Sequence, residues 1–394
     1  MRVAHLITRL ILGGAQENTL LTCEGLLGDY GDDVLLVTGP ALGPEGSLLD
    51  RARRRGVPLA IVPELRRAIH PWRDWRSYWA LKKILRDFRP DVVHTHSGKA
   101  GLLGRAAASA LDVPAIVHGV HGAPFHPYQN AAARAFFQAC ERWAARRCHA
   151  LISVADAMTD LLVEARVAPR EKFTTIYSGM EVEPLLESAR HRQRVRDELG
   201  YRPRHVVVGK VARLFHLKGH DDVIEAARLV SARHPDVRFL FIGDGLLRQS
   251  LERRILDAGM EGLFQFTGLV PPERIPELLS AMDIVVHASL REGLARVLPQ
   301  ALIAGKPVVS YDVDGAREVV IPGQTGCLLS PRDRGQLAAA INQLVVDPAL
   351  RERLGSEGRR RFTPLFRHQQ MTARTRELYL HLLGSRRAGR PPPA

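Results

Sequence analysis

The chain has 394 residues, 45% of them apolar and 25% charged, with a formal net charge of +14 at pH 7. That length exceeds one ordinary hydrophobic core and suits two domains of about 150 to 200 residues, and the composition is that of a folded globular protein rather than a disordered or collagenous one. Four cysteines without a C-x-x-C pair exclude a compact disulfide framework, and the charge leaves three partner classes to weigh: an anionic membrane surface, nucleic acid, or anionic small substrates.

The N-terminal stretch M-R-V-A-H-L-I-T-R-L-I-L-G-G reads as a first strand running into a glycine turn at Gly13 and Gly14, because His5 and Arg9 interrupt the apolar run that a signal peptide needs. Strands are predicted at 3–8, 34–38, 59–62, 91–95, 115–119, 150–154 and 173–176, with amphipathic helical stretches between them. From Arg51 to Arg89 twelve basic residues stand against three acidic ones, with Trp72, Trp75, Tyr78 and Trp79 among them. Such interleaving suits contact with an anionic membrane surface, and the competing expectation places these aromatics in the core. His94 and His96, two apart on one strand, share a face; no third metal ligand is evident, so they are expected in the core or lining a wall.

A polar, arginine-rich stretch, 187–204, places the domain boundary after residue 186. The pattern then restarts, with strands predicted at 205–211, 237–242, 263–266, 284–287, 307–310 and 326–329. Strands alternating with helices throughout argue for α/β architecture with two doubly wound parallel sheets, whose ligands bind at the carboxyl ends of the strands. Residues 187–362 form the second domain on this reading, 363–383 a final helix, and 384–394 a disordered basic tail. No run of 18 or more uncharged apolar residues occurs, so nothing is expected to span a membrane, and the thiols are expected to be reduced in the cytoplasm.

Between the strands at 284–287 and 307–310 lies S-L-R-E-G-L-A-R-V-L-P-Q-A-L-I-A-G-K. Pro299 is tolerated only in the first turn of a helix, so this helix starts no earlier than about Arg296, leaving Glu292 and Gly293 on the preceding loop and Gln300 about one turn in. Backbone N–H groups at such a turn suit an anion. Arg213 and Lys218, on the loop after the strand at 205–211, are two fixed cations that suit a diphosphate. Gly243, Asp244 and Gly245 close another strand with a turn that lets a backbone approach a ligand.

The segment around Glu292 resembles the signature of retaining glycosyltransferases of family 4, on Glu292, Gly293, Ala301, Gly305, Pro307, Val308 and Val309. Gln300 stands where that pattern has its second Glu, after seven intervening residues. The resemblance extends from the glycine turn at Gly13 and Gly14 through Tyr177-Ser178-Gly179-Met180-Glu181 and Arg213-x-x-x-x-Lys218-Gly219 to the final helix. It implies the GT-B fold: two Rossmann-like domains facing across a cleft, with the last helix returning to the first domain. It also implies a metal-independent enzyme without a cofactor. Its donor is a nucleotide-diphosphate sugar, with uridine the family's usual base, and its acceptor a hydroxyl of a glycan or lipid-linked chain.

In this reading His121, rather than His118 or His126, is the active-site histidine beside the transferred sugar. Arg213 and Lys218 bind the diphosphate, main-chain groups near Val270 read the base, and Glu292, Gly293, Leu294 and Ala295 line the donor. Gln300 contacts the ribose. Asp312-Val313-Asp314 is read as the family's glycine-rich loop, with Gly315 and Glu318 in place, and not as a metal site. The expected location is the cytoplasm, with peripheral contact at the inner membrane face through 51–89, and no nucleic-acid partner. Two alternatives stand beside this: a nucleotide-sugar 2-epimerase of the same fold, and a polybasic, non-catalytic binding protein.

Overall fold

The computed structural model describes residues 1–43 and 46–387. They divide into two compact units, Met1–Met180 together with the segment from Phe366 onward, and Glu181–Leu365. All thirteen predicted strands are present, each within a residue or two of its expected bounds. In the first unit they are β1 (Arg2–Ile7), β2 (Asp33–Thr38), β3 (Leu59–Ile61), β4 (Val92–His96), β5 (Ala115–Val120), β6 (Ala150–Ser153) and β7 (Phe173–Thr175). In the second they are β8 (Val206–Val211), β9 (Val237–Ile242), β10 (Phe264–Phe266), β11 (Ile284–His287), β12 (Val308–Tyr311) and β13 (Gly326–Leu329).

Both sheets are parallel, ordered β3-β2-β1-β4-β5-β6-β7 and β10-β9-β8-β11-β12-β13. Helical crossovers bury a parallel sheet on both faces, which is why runs such as 284–286 are apolar without alternation. Strand order reverses between β1 and β4 in the first sheet and between β8 and β11 in the second. At such a point successive loops leave in opposite directions and a crevice opens beyond the strands' carboxyl ends.

The terminal helix, His368–Arg387, packs on the helix Gly14–Gly28 of the first unit, as expected of the last helix. The Arg376 guanidinium donates to the buried Asp32 carboxylate at 2.9 Å, and a Cβ on Gly25 would come within 2.8 Å of Thr372 Oγ1, so the two backbones meet closely there. Two expectations need correction. The helix runs to Arg387, so 384–387 are helical rather than part of a disordered tail, and 388–394 lie outside the described residues. The unit boundary falls at Met180 rather than after residue 186, beside the return crossing, where Met180 N–H donates to Phe366 O at 2.8 Å.

The arginine-rich stretch is not a linker. Arg192 and Arg196 reach the Asp283 carboxylate at 2.6 and 3.3 Å, and Arg196 also donates to the carbonyls of Ala281, Arg202 and His205. A guanidinium carries five donors in a fixed fork, so a sequence that looks solvated can be folded inward when enough carbonyls converge on it.

Candidate active site

In the second unit the loops beyond β8 to β12 are tied to one another by main-chain hydrogen bonds. Leu214 N–H donates to Asp244 O at 2.9 Å, Gly243 N–H to Gly268 O at 3.1 Å, Leu290 N–H to Leu217 O at 2.8 Å, and Gly315 N–H to Gly293 O at 3.0 Å. Sequence positions spread over a hundred residues thereby become one surface at the switch point between β8 and β11.

At its centre Lys218 Nζ donates to Glu292 Oε1 at 2.5 Å. Lys218 arrives on the loop after β8 and Glu292 on the loop after β11, neighbours only because of strand order. Gly219, next to Lys218, has φ +65°, and a Cβ there would lie 1.9 Å from Ala288 O, so only glycine lets the first loop cross the second. Leu217 and Asp314, on the loops that carry the pair or are tied to it, hold left-handed backbone (φ 65° and 51°), uncommon for residues with a Cβ. The Asp314 carboxylate accepts the Glu292 N–H at 2.6 Å and so fixes the Glu-Gly turn from below.

Burial pushes the Glu292 carboxyl upward, yet the Lys218 ammonium overrides it and holds the group below the usual carboxylate range. His287, buried with Nε2 at 3.6 Å from Glu292 Oε1, is driven by burial down to about 3; it is neutral, and Lys218 supplies the charge. Beneath lies Lys210, fully buried, with no hydrogen-bond partner for its Nζ among the described residues. Burial, reinforced by Lys218, brings its ammonium down to about 7.

The remaining sequence-derived candidates of this unit fall as follows. Arg213 lies over the Phe215 ring at 5.1 Å, and its carbonyl accepts from His220 Nε2 at 3.0 Å. Gly243, Asp244 and Gly245 close β9 beside that loop, and Val270 follows β10. Gly293, Leu294 and Ala295 are buried, and the helix Val297–Ile303 starts where Pro299 requires, with Gln300 half-buried on it. Asp312 is bound by Arg317 at 2.7 Å and Asp314 by the Glu292 amide, so both acids of the D-x-D triplet are engaged inside the protein.

In the first unit Gly13 caps the helix that begins at Gly14, beyond β1. His121, beyond β5, is joined to His96 (Nδ1 to Nε2 of His121, 3.0 Å), and His96 to His5 (Nε2 to Nδ1 of His5, 3.1 Å). His94 Nδ1 meets Tyr379 OH of the terminal helix at 2.5 Å. The third imidazole missing from the sequence reading of His94 and His96 is thus His5, paired in register with His94 across β1 and β4. One nitrogen from each of the three lies within 4.8 Å of the others, a spacing that could hold a metal ion. Among the described residues no carboxylate accompanies them, and four of their nitrogens are already hydrogen-bonded.

The sequence reading gives His287, Lys210 and His5 no place in the site, and it places His96 only in the core or a wall and Asp314 only in the glycine-rich loop. A lysine inside V-V-V-G-K-V and a histidine inside V-A-H-L-I were the available signals, since a titratable group in a doubly covered strand has no water to face.

Two family models match the chain, "Glycosyl transferase 4-like domain" over residues 13–179 and "Glycosyl transferases group 1" over residues 191–361. A glycogen synthase of Mycobacterium tuberculosis is 30% identical over 314 residues, covering 77% of this chain and 72% of that protein. The UDP-Gal:alpha-D-GlcNAc-diphosphoundecaprenol alpha-1,3-galactosyltransferase of Escherichia coli is 28% identical over 353 residues, 89% of each chain. Among solved structures the Anabaena protein HepE in complex with UDP-glucose superposes with a TM-score of 0.82 at 22% identity, covering 97% of this chain and 100% of that one. Sucrose-phosphate synthase of Thermosynechococcus elongatus superposes at 0.84, with 19% identity and 98% and 100% coverage. With the two Rossmann-like sheets, the loops gathered beyond their carboxyl ends and these likenesses together, the chain belongs to the group 1 glycosyl transferases of GT-B fold, enzymes that transfer a sugar from a nucleotide sugar.

Proposed function

We propose that the protein is a retaining glycosyltransferase that moves a sugar from a UDP-sugar to a hydroxyl of a glycan or lipid-linked acceptor. The observation that carries this reading is the Lys218–Glu292 contact at the switch point of the second sheet. As the bond from the anomeric carbon to the phosphate oxygen breaks, negative charge grows on the diphosphate, and Arg213, Lys218 and the amides after Gly293 stabilise it. Glu292, kept ionised by Lys218, is an acceptor-only group suited to sugar hydroxyls. Gln300 serves the ribose diol with its amide, and Gly243, Asp244, Gly245 and Val270 border the nucleotide. His121 serves a sugar hydroxyl, and Gly13 and Gly14 let the backbone approach the donor.

Uridine is supported by the names of the relatives: HepE binds UDP-glucose, and the Escherichia coli enzyme uses UDP-Gal with a diphosphoundecaprenol-linked acceptor. Membrane contact is supported by the helix Pro71–Phe88. Trp72, Trp75 and Trp79 are 61%, 53% and 48% exposed rather than in the core, and Arg76, Lys83 and Arg86 continue the same exposed stripe. Among the described residues no helix is long and apolar enough to cross a membrane, so such contact is peripheral. Neither the epimerase nor the polybasic binding reading has a counterpart among the relatives described above.

Thermal-shift measurement without added metal, against UDP, GDP, ADP, CMP and their sugars, tests the donor site. UDP or a UDP-sugar should raise the melting temperature of the wild type but not of Arg213→Ala or Lys218→Ala. Equal stabilisation of all three proteins would remove both residues from the diphosphate site.

A further inference from the structure

The first unit holds a row of imidazoles running from the middle of the sheet to its carboxyl edge: His5 on β1, His96 at the end of β4, His121 just beyond β5. His5 and His96 are 0% and 1% exposed. Burial drives His5 down to about 3 and His96 well below its ordinary value, so both are neutral at pH 7 and each carries a single N–H. Gly119 makes the room: a Cβ on it would lie 2.9 Å from His96 Nδ1 and 3.1 Å from His94 Nε2.

With one proton per ring, the two hydrogen bonds must run in the same direction. If they run inward, from His121 to His5, His5 is left with an N–H at Nε2, an atom that is buried and has no hydrogen-bond partner among the described residues. If they run outward, that atom carries only a lone pair. An orphaned buried N–H is the rarer and costlier of the two, so the chain runs outward. His5 Nδ1–H donates to His96 Nε2, and His96 Nδ1–H donates to His121 Nε2.

We infer that His5 and His96 are positioning residues that fix the tautomer and ring plane of His121, so that it offers Nδ1–H as a neutral donor to a hydroxyl of the transferred sugar. This rests on the proposal above that His121 serves the sugar. A neutral donor suits that place. The sugar's anomeric carbon becomes cationic as the bond breaks, and an imidazolium there would oppose it. A ring free to exchange tautomers would spend part of its time with the wrong nitrogen protonated.

The test uses the full chain labelled with [15N]histidine, with His121 assigned from the His121→Gln spectrum, and long-range 1H–15N correlations to read the tautomer. Wild type should show His121 protonated on Nδ1 alone. His96→Asn, whose amide still donates from the position of Nδ1, should keep that form, whereas His96→Leu and His5→Leu should admit the Nε2–H form. Turnover is measured as UDP release from UDP-glucose, UDP-galactose or UDP-N-acetylglucosamine, whichever raises the melting temperature. His96→Leu should lower kcat about 10- to 100-fold with KM changed less than about threefold, and His96→Asn should recover most of it.

An Nε2–H tautomer of His121 in the wild type would overturn the inference, as would an unchanged tautomer in His96→Leu or His5→Leu variants that melt cooperatively. Shifts of His5, His94 and His96 with one equivalent of Zn2+ would make the group a metal site and also overturn it. Wild-type kcat in His121→Gln would instead remove His121 from the sugar, leaving the tautomer result standing.

Discussion

Replacing Lys210 by Met should make the second unit more stable at neutral pH. Burial brings this ammonium from its ordinary 10.5 down to about 7, with no partner on its Nζ among the described residues. Because the folded value lies below the unfolded one, the unfolded chain holds more protons between about pH 7 and 10.5. Stability therefore rises with pH across that window, and below it the penalty is present in full. The displacement corresponds to about 4 kcal/mol at pH 7, and replacing buried ionic groups with apolar ones of similar volume has stabilised proteins by about 1–4 kcal/mol. A gain of about 2 kcal/mol would raise the melting temperature of a unit of this size by about 4–8 °C. Scanning calorimetry of wild type and Lys210→Met from pH 6.5 to 10 reads this directly, since methionine follows the same unbranched path. The gap should be widest at the acid end and close towards pH 10. A constant gap across pH, or a less stable variant at pH 7, would refute the placement of an unpaired lysine in this core.

The Lys218–Glu292 pair, with side chains 20% and 22% exposed, should couple in a double-mutant cycle. Lys218→Met alone leaves the partly buried Glu292 without its counter-charge at a cost of about 2–4 kcal/mol, and Glu292→Gln on top should recover part of that stability without recovering turnover; additive urea-unfolding energies would rule the coupling out. Loss of the Arg213 or Lys218 charge should lower kcat about 10²- to 10³-fold, the scale of one preorganised donor, with unchanged turnover the refuting result. Changing Trp72, Trp75 and Trp79 to Ser should weaken partitioning onto anionic vesicles at least about tenfold; equal binding of the wild type to anionic and neutral vesicles would dismiss that surface. Asp32→Ala removes the carboxylate that accepts from Arg376 and should expose the terminal helix first, seen as loss of amide-exchange protection over residues 368–387 ahead of the sheet.

Strand positions and fold class were legible because buried parallel strands must be apolar on both faces, and the restart of the pattern announced a second sheet. Pro299 alone located the start of the helix after Glu292, since proline tolerates only its first turn. The boundary was misplaced because composition made 187–204 look solvated, whereas Arg192 and Arg196 are held by Asp283 and by carbonyls at β8 and near β11.

What the sequence by itself determined, then, was which local segments form strands, turns and helix starts, since those depend on neighbours a few residues away. The partnerships that give those segments chemistry come from strand order. Lys218 meets Glu292 because β8 lies beside β11, and His5 reaches His96 because β1 lies beside β4, although 74 and 91 residues separate the partners. Only the tertiary structure could show that Lys210 is buried without a partner among the described residues, that His287 is neutral beside Glu292, and that Asp314 holds the Glu-Gly turn, because burial and partnership are properties of the packed sheet and not of any stretch of chain.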